Sequence, residues 1–399
     1  MAIINDQDQL EKLCIRLADS PFITVDTEFI REKTYWPQLC LIQVGTEQEA
    51  ACIDPLAELD LAPFYRLLAD PKVVKIMHSG RQDVEIFYHL AGIIPAPLFD
   101  TQVAAMVCGY GEQVSYQQLV NDICRIALDK GQRFTNWAAR PLSDSQEKYA
   151  LADVVHLVPV YLHLKQRLED SGRAHWVDEE MAKLYSPSVY EGDAGAWRRI
   201  LPAKIGRKSA AILRALYLWR EEMAQALDRP RKFIATDEHL LAVSGAAPST
   251  MDDLNNLRVS VAAKHKDAIL AVIAEVLAQP PESYPAPDKP VSAAAAKRSR
   301  PLLALLRVLL SIKEQESGVA GRLIASAEQL EDMARGAGQP ENSPVMQGWR
   351  YELFGHDAQR LMQGLLALSF NPKKRALELL ESPRAVAQPD PRTQPKLPI

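Results

Sequence analysis

Strand-like sequence in this 399-residue chain is confined to roughly the first hundred residues, and nearly everything after it reads as helix. LEKLCIRLAD has the spacing of an amphipathic helix, and FITVDTEF follows it as an apolar, β-branched strand. QLCLIQVG and EAACIDP read as two further strands, the first close enough to FITVDTEF for a meander. LAPFYRLLAD is helical again, and KVVKIMH is a strand that runs through SG into the helix RQDVEIFYHL. Strands that come first and are then interleaved with helices predict an α/β layer with a mixed central sheet. The chain is too long for one ordinary core, so two or three domains are expected.

Beyond EGDAG the composition shifts. WRRILPAKIGRKSAAILRALYLWREEMAQALDRPRKF is helical, and its arginines and lysines outnumber its acids. A second helical stretch runs to VLAQ. PPESYPAPDKPVSAAAAKRSR then has the proline and alanine content of a linker. A third helical block is expected from Pro301 to about Pro372, interrupted by RGAGQPENSP, and SPRAVAQPDPRTQPKLPI has little to bury. No short solenoid-type repeat is visible. With 47% hydrophobic and 24% charged residues the chain has the composition of a soluble globular protein. MAIINDQDQLEKL lacks the basic start and apolar run of a secretory signal. PLLALLRVLLSI is too short to span a bilayer and is interrupted by Arg307. The five cysteines form no Cys-x-x-Cys pair, which argues against a disulfide framework and a zinc module and fits a reducing cytoplasm. A net charge of −5 neither points to a polyanionic partner nor excludes one, because local charge decides.

The first strand poses the chemical question. Asp26 and Glu28 are two residues apart, so they share a face at roughly 6.5–7 Å along the chain. Two buried, unpaired carboxylates side by side are costly, and their partner is a salt bridge, a metal or nothing. Asp83 lies near the first turn of the helix after KVVKIMH, where an acid also complements the helix dipole without any function. Tyr149 and Asp153 lie one turn apart in SDSQEKYALADVVHLVPVYLHLKQRLED, read as one long capped helix, and among apolar neighbours. A buried tyrosine bonded to an aspartate is the structural alternative there. His156 and His163 lie two turns apart on the same helix, and with no third ligand nearby they read as ordinary helix residues.

The order of these signals says more than any one of them. Asp-x-Glu in a first strand, Asp after a later strand and Tyr-x-x-x-Asp on a helix resemble the DEDD superfamily of 3′-to-5′ exonucleases. Lys148 stands where the histidine subclass would have its histidine, so the tyrosine subclass fits. VDTEFIREKTYWPQLCLIQVG, HSGRQDVEIFYHL, LFDTQVAA and LDKGQRFTNWAARPLSDSQEKYALADVVHL are similar to the bacterial ribonuclease D family. LYLWREEMAQALDRPRKFIATDEHLLAVS resembles the start of an HRDC domain, and the block with GWRYELFG resembles a second, more divergent one. The likeness covers roughly residues 1–370.

The resemblance implies a ribonuclease H-like α/β exonuclease domain over 1–190, HRDC-type all-α domains over 205–283 and 298–372, and a disordered tail over 373–399. It implies a metal-dependent 3′-to-5′ exoribonuclease that trims the 3′ ends of tRNA precursors and other small structured RNAs, releasing nucleoside 5′-monophosphates. Two Mg²⁺ or Mn²⁺ ions about 3.5–4 Å apart would supply the charge that phosphodiester hydrolysis needs. Asp26 would bridge both ions, Glu28 and Asp153 would complete the site of the ion that activates water, and Asp83 would hold the second. Tyr149 would orient the attacking water; a phenol with a pKa of about 10 is a poor proton acceptor at neutral pH. Phe29 could stack on the terminal base or belong to the core, and His78 could contact the terminal sugar or cap a turn. Trp137, Arg140, Pro141 and Leu142 read as packing ahead of the catalytic helix. The basic run from Arg198 to Lys232 is a candidate for phosphate contacts, with the helical domains shaping a funnel for a single-stranded 3′ end. A cytoplasmic monomer with no membrane partner is expected. The competing readings are a DNA exonuclease of the repair or proofreading kind and a non-catalytic RNA-binding protein.

Overall fold

The computed structural model describes residues 3–382 except 130, 133–134, 192–194, 203, 258, 260–261, 286–292 and 337–342. It divides into two compact units. One comprises Met1–Phe99, Leu128–Val158 and Met181–Pro290; the other comprises Asp100–Ala127, Pro159–Glu180 and Val291–Ile399.

The first unit carries a mixed six-stranded sheet with strand order β1-β4-β3-β2-β5-β6. Its strands are β1 (Ile3–Ile4), β2 (Phe22–Ile30), β3 (Gln38–Gly45), β4 (Ala50–Ile53), β5 (Val74–Met77) and β6 (Leu98–Asp100). β2 lies in the interior, antiparallel to β3 and parallel to β5. The short outer strands β1 and β6 lack the length that would mark them in sequence, and they extend the meander on both sides. Helices α1 (Gln7–Ala18), α2 (Ala62–Ala69) and α3 (Arg81–Ala91) stand where their apolar periodicity predicts. In the second unit α4 (Thr101–Val107) and α5 (Tyr116–Cys124) begin at side-chain caps, Asp100 and Ser115.

The segment expected as one long helix is two, α6 (Asp144–Val155) and α7 (Leu157–Ser171). Pro159 has no N–H to give the carbonyl of Val155, so the ladder breaks there; His156 caps the first helix and His163 lies within the second. α8 (Ala174–Leu184) follows.

The first helical block folds into α9 (Arg207–Ala226), α10 (Arg231–Ile234), α11 (Asp237–Ala246), α12 (Met251–Asn256) and α13 (Ala263–Leu277). Its core gathers Ile212, Leu216, Leu240, Ile269 and Ile273, and one residue of the loop after β2, Tyr35, is buried among them. The Tyr35 hydroxyl donates to Glu221 (3.1 Å) and accepts from Gln225 (3.1 Å) and Arg231 (2.9 Å). The backbone N–H groups of Tyr35 and Trp36 both donate to Asp228 Oδ1, at 2.9 and 3.0 Å. Trp36 stacks on His89 of α3 at 3.8 Å between ring centroids, and Arg31 makes a two-pronged pair with Glu85 of α3. The end of β2 is thus held at once by α3 and by the helical block.

The third block opens with α14 (Ala293–Ser317), so helix begins inside the stretch expected as linker and carries Pro301 within it. α15 (Gly321–Ile324), α16 (Ala327–Arg335), α17 (Gly348–Arg350), a π turn at Tyr351–Gly355 and α18 (His356–Met362) complete the helices. Both blocks share a small plan: a four-residue helix leads into one capped by Thr236 or Ser326. Residues of α8 pack on this block: Trp176 stacks on Trp349 at 4.7 Å, and Arg350 pairs with Glu180 at 2.5 and 2.7 Å.

The expected tail begins in order rather than disorder. β7 (Leu366–Asn371) and β8 (Ala376–Glu381) form an antiparallel hairpin, because LALSFN and ALELLE carry enough apolar residues to pair across the NPKKR turn. The third block is therefore not wholly helical, and residues 383–399 lie outside the described residues. Part of the expected linker (286–292) and of the RGAGQPENSP loop (337–342) also lies outside them.

Candidate active site

The site is built on one face of β2. Thr24, Asp26 and Glu28 alternate with Val25 and Thr27, so all three point toward the face that α6 covers. Thr24 Oγ1 lies within hydrogen-bond distance of the carbonyls of Gly45 (3.1 Å) and Val154 (3.0 Å), which ties the helix to the sheet. Gly45 permits that approach: a Cβ there would stand 2.6 Å from Thr24 Oγ1 and 3.3 Å from Val154 Cβ.

Helix α6 brings in Tyr149 and Asp153. Ser143 and Gln146 close a reciprocal capping box that fixes where the helix starts, and Gln146 also reaches Thr135. Arg140 anchors the segment before it, bonding both oxygens of Asp54 at 2.6 Å and the carbonyls of Cys40 (2.6 Å) and Trp137 (2.8 Å). Buried Trp137 in turn packs against Tyr149, with ring centroids 6.1 Å apart. These contacts agree with a packing role for Trp137 and Arg140.

Asp83 arrives from the other direction. After β5 the chain turns through His78 and Ser79, whose φ of 58° is left-handed, into α3. Gly80 is required at the cap because a Cβ would meet Met77 at 2.7 Å. Asp83 stands in the first turn of α3, buried, and accepts a short hydrogen bond from the Thr27 hydroxyl. Thr27 was not singled out in the sequence; a hydroxyl between two acids of a strand motif is the signal that could have found it.

The electrostatics show that the acids converge. The Asp26 carboxyl is held well above the usual carboxylate range by burial first, then by Asp83, Asp153 and Glu28, against a small opposing pull from the Thr27 N–H. Burial pushes Asp153 up to about 7. Four carboxylates from three segments of the sequence thus act on one another, and like charges at such range resist ionisation. Among the described residues no three His, Cys, Asp or Glu side chains are closed up as a ready-made metal cage. An all-oxygen set that ionises with such reluctance suits a hard divalent cation, which would offset the repulsion.

The remaining candidates fall out separately. β2 keeps its alternation through Glu28 and Phe29, since the register shift places the extra residue, Cys40, on β3. Phe29 therefore shares the face of Thr27 and is half-buried, as is His78 at the end of β5. The Tyr110 hydroxyl lies 2.8 Å from His163 Nε2, which accounts for that imidazole without a metal. All five cysteines are free thiols, four of them buried. The basic run divides: Arg220 pairs with Asp237, Arg231 with Glu221, and Arg207 bonds the carbonyls of Glu282 and Tyr284, while Lys208, Arg214 and Arg229 stand exposed. A cavity of about 880 Å³ between the Tyr35 loop and α9 is lined by no site carboxylate.

Residues 1–169 match the 3′-5′ exonuclease family and residues 209–276 the HRDC domain. The ribonuclease D of Acidiphilium cryptum is 44% identical over 387 residues, covering 96% of this chain and 97% of that protein. The chain belongs to the ribonuclease D family. The ribonuclease D of Jannaschia sp. is likewise 44% identical over 93% of this chain and 97% of its own length. The crystal structure of Escherichia coli RNase D, described as an exoribonuclease involved in structured RNA processing, superposes with a TM-score of 0.78. It is 30% identical and covers 91% of this chain and 98% of that one. The enzyme is a 3′-to-5′ exoribonuclease, its family is divalent-metal dependent, and it acts on RNA. No helix among the described residues is long and apolar enough to cross a membrane.

Proposed function

We propose that this exoribonuclease trims the 3′ ends of tRNA precursors and other small structured RNAs in the cytoplasm, as a monomer, using two divalent ions, Mg²⁺ or Mn²⁺. The observation that carries the reading is the Asp26 carboxyl, pressed toward its neutral form by burial and then by Asp83, Asp153 and Glu28 together. A cluster this unfavourable alone is what a pair of cations would stabilise. Asp26, Glu28 and Asp153 would hold the ion that activates water, and Asp83 together with Asp26 would hold the other. When bound, such ions lower the pKa of water and neutralise charge on the leaving 3′ oxygen.

The protein's own groups do the positioning. Thr27 donates to one oxygen of Asp83 and so fixes the orientation of that carboxyl. Tyr149, one helical turn from Asp153 and braced by Trp137, directs its hydroxyl to the water and aligns it with the scissile phosphorus. Phe29 and His78, at the far ends of β2 and β5, contact the terminal nucleotide, and the exposed Lys208, Arg214 and Arg229 track the phosphate backbone.

Incubation with a 3′-extended tRNA should release nucleoside 5′-monophosphates with Mg²⁺ or Mn²⁺, and a chelator should stop it. Failure to shorten any RNA end under those conditions would overturn the proposal. Matched RNA and DNA oligonucleotides separate it from the DNA-exonuclease alternative, since discrimination requires contact with the 2′-hydroxyl.

A further inference from the structure

The centre of β3 holds a residue that the sheet itself does not require. Gln43 lies between Ile42 and Val44, where an aliphatic side chain would fill the same space. It is fully buried, and among the described residues neither its Nε2 nor its Oε1 has a hydrogen-bond partner. Leaving a buried amide unsatisfied costs about 1–3 kcal/mol, so a core position serving packing alone would favour leucine or methionine.

Its place in the register says where the amide belongs. Gln43 is directly opposite Asp26 in the antiparallel β2–β3 pair, so the two side chains stand on the same face. Opposed Cβ atoms in such a pair are about 4.5–5.5 Å apart, well within the reach of a glutamine side chain. Its other cross-strand neighbour, Cys52, is a buried thiol that offers no ion. Thr24, one alternation along the same face, already uses its hydroxyl on Gly45 and Val154.

We propose that Gln43 is a positioning residue: in the cation-loaded enzyme its Nε2 donates to the Asp26 carboxylate and fixes which oxygen meets the cations. The inference rests on the cation site proposed above. Hydrogen bonds of this kind to a ligating carboxylate contribute about 10–100-fold to metal affinity or activity. They also give a use to a buried amide that otherwise only costs stability. A buried water that satisfies the amide with no consequence for the cleft is the structural alternative.

The test compares the full chain with Gln43→Met, which keeps the length and volume and removes both polar atoms. Thermal unfolding is followed without cations and across a MnCl₂ titration, with kcat and KM on a 3′-extended RNA alongside. The expected result is an unchanged or raised cation-free Tm, a Mn²⁺ midpoint weakened about 10–100-fold and a lower kcat at constant KM. A Mn²⁺ midpoint within twofold of the unsubstituted protein overturns the role of Gln43 while leaving the site standing. No Mn²⁺-induced rise in Tm of the unsubstituted protein sinks the site reading and this one with it. Should Gln43→Met fail to fold, the crystal structure of the unsubstituted protein with Mn²⁺ decides. Nε2 within about 3.2 Å of an Asp26 oxygen supports the assignment, and an amide bonded only to water overturns it.

Discussion

Two polar regions of the first unit are made of similar groups and are finished very differently. Around Tyr35 each charge meets its complement: Glu221 accepts from Tyr35 and Arg231, the hydroxyl accepts from Gln225 and Arg231, and Asp228 takes two backbone N–H groups. In the carboxylate cleft Asp26 lies among three more acids, and the amide opposite it has no partner among the described residues. A knot that satisfies itself holds structure together. A cluster that does not must be completed from outside, and the difference separates scaffold from chemistry where composition cannot.

The hardest test of that contrast is Asp26→Asn. Losing the Asp26 carboxylate should lower kcat at least about a thousandfold, since several kcal/mol of charge stabilisation disappear and each 1.4 kcal/mol is tenfold. The cation-free protein should become more stable at pH 8, because one of four repelling carboxylates is gone. If Asp26→Asn instead unfolds like the loss of an ion pair, the cleft is another structural knot and the contrast breaks.

The pH dependence of stability follows from the burial of Asp153 in the same cleft. Asp153 loses its proton near 3.8 when unfolded and near 7 when folded, so between those values the folded state holds the extra proton. Stability of the cation-free protein should therefore fall as pH rises from about 4 to about 7 and level off above. Asp153 alone accounts for a change on the order of 4 kcal/mol. Binding of Mn²⁺ needs the ionised acids, so its stabilising effect should grow over the same range. A cation-free Tm that rises from pH 5 to pH 7 would contradict the shift.

Arg140 sharpens the scaffold side. Arg140→Ala strips the nearly buried Asp54 of a two-pronged partner and frees three backbone carbonyls. Removing one member of a fully buried pair costs about 3–5 kcal/mol; with 26% of the Arg140 side chain exposed, about 2–4 kcal/mol is expected in chemical denaturation. A loss below 0.5 kcal/mol would show that α6 is held mainly by its apolar face.

What the sequence made legible follows the length and regularity of the local signal. FITVDTEFI, RQDVEIFYHL and the Ser143 capping box announce their elements by periodicity and cap chemistry, and with them come Asp26, Glu28, Asp83, Tyr149 and Asp153. The break at His156 was hidden because one proline in an otherwise apolar helical pattern looks like a tolerated kink. β1 and β6 are too short to carry any alternation, and the β7–β8 hairpin straddles the end of the expected helical block and the start of the expected tail, so neither strand was read with its partner. Thr27 and Gln43 were missed for another reason: each matters only through a residue far away in sequence, Asp83 or Asp26. The basic run misled in the same way, since Arg220 and Arg231 look available to phosphate until Asp237 and Glu221 fold against them.

The smallest effect is the most discriminating for the comparison. Tyr35→Phe removes the hydroxyl from the knot and leaves the ring in the helical core, with Arg231 still paired to Glu221 at 2.6 Å. Because that ion pair survives, the loss should be about 1 kcal/mol, the usual worth of a satisfied hydrogen bond, read as a lower midpoint in urea unfolding. kcat on a short single-stranded RNA should stay within twofold, since Asp26 and Glu28 are held by β3, β5 and α6 whether or not the hydroxyl is present. A tenfold fall in kcat with unchanged stability would mean that the loop after β2 transmits strain into the acid pair. The knot would then belong to the chemistry, and scaffold and site could no longer be told apart by which polar groups are satisfied.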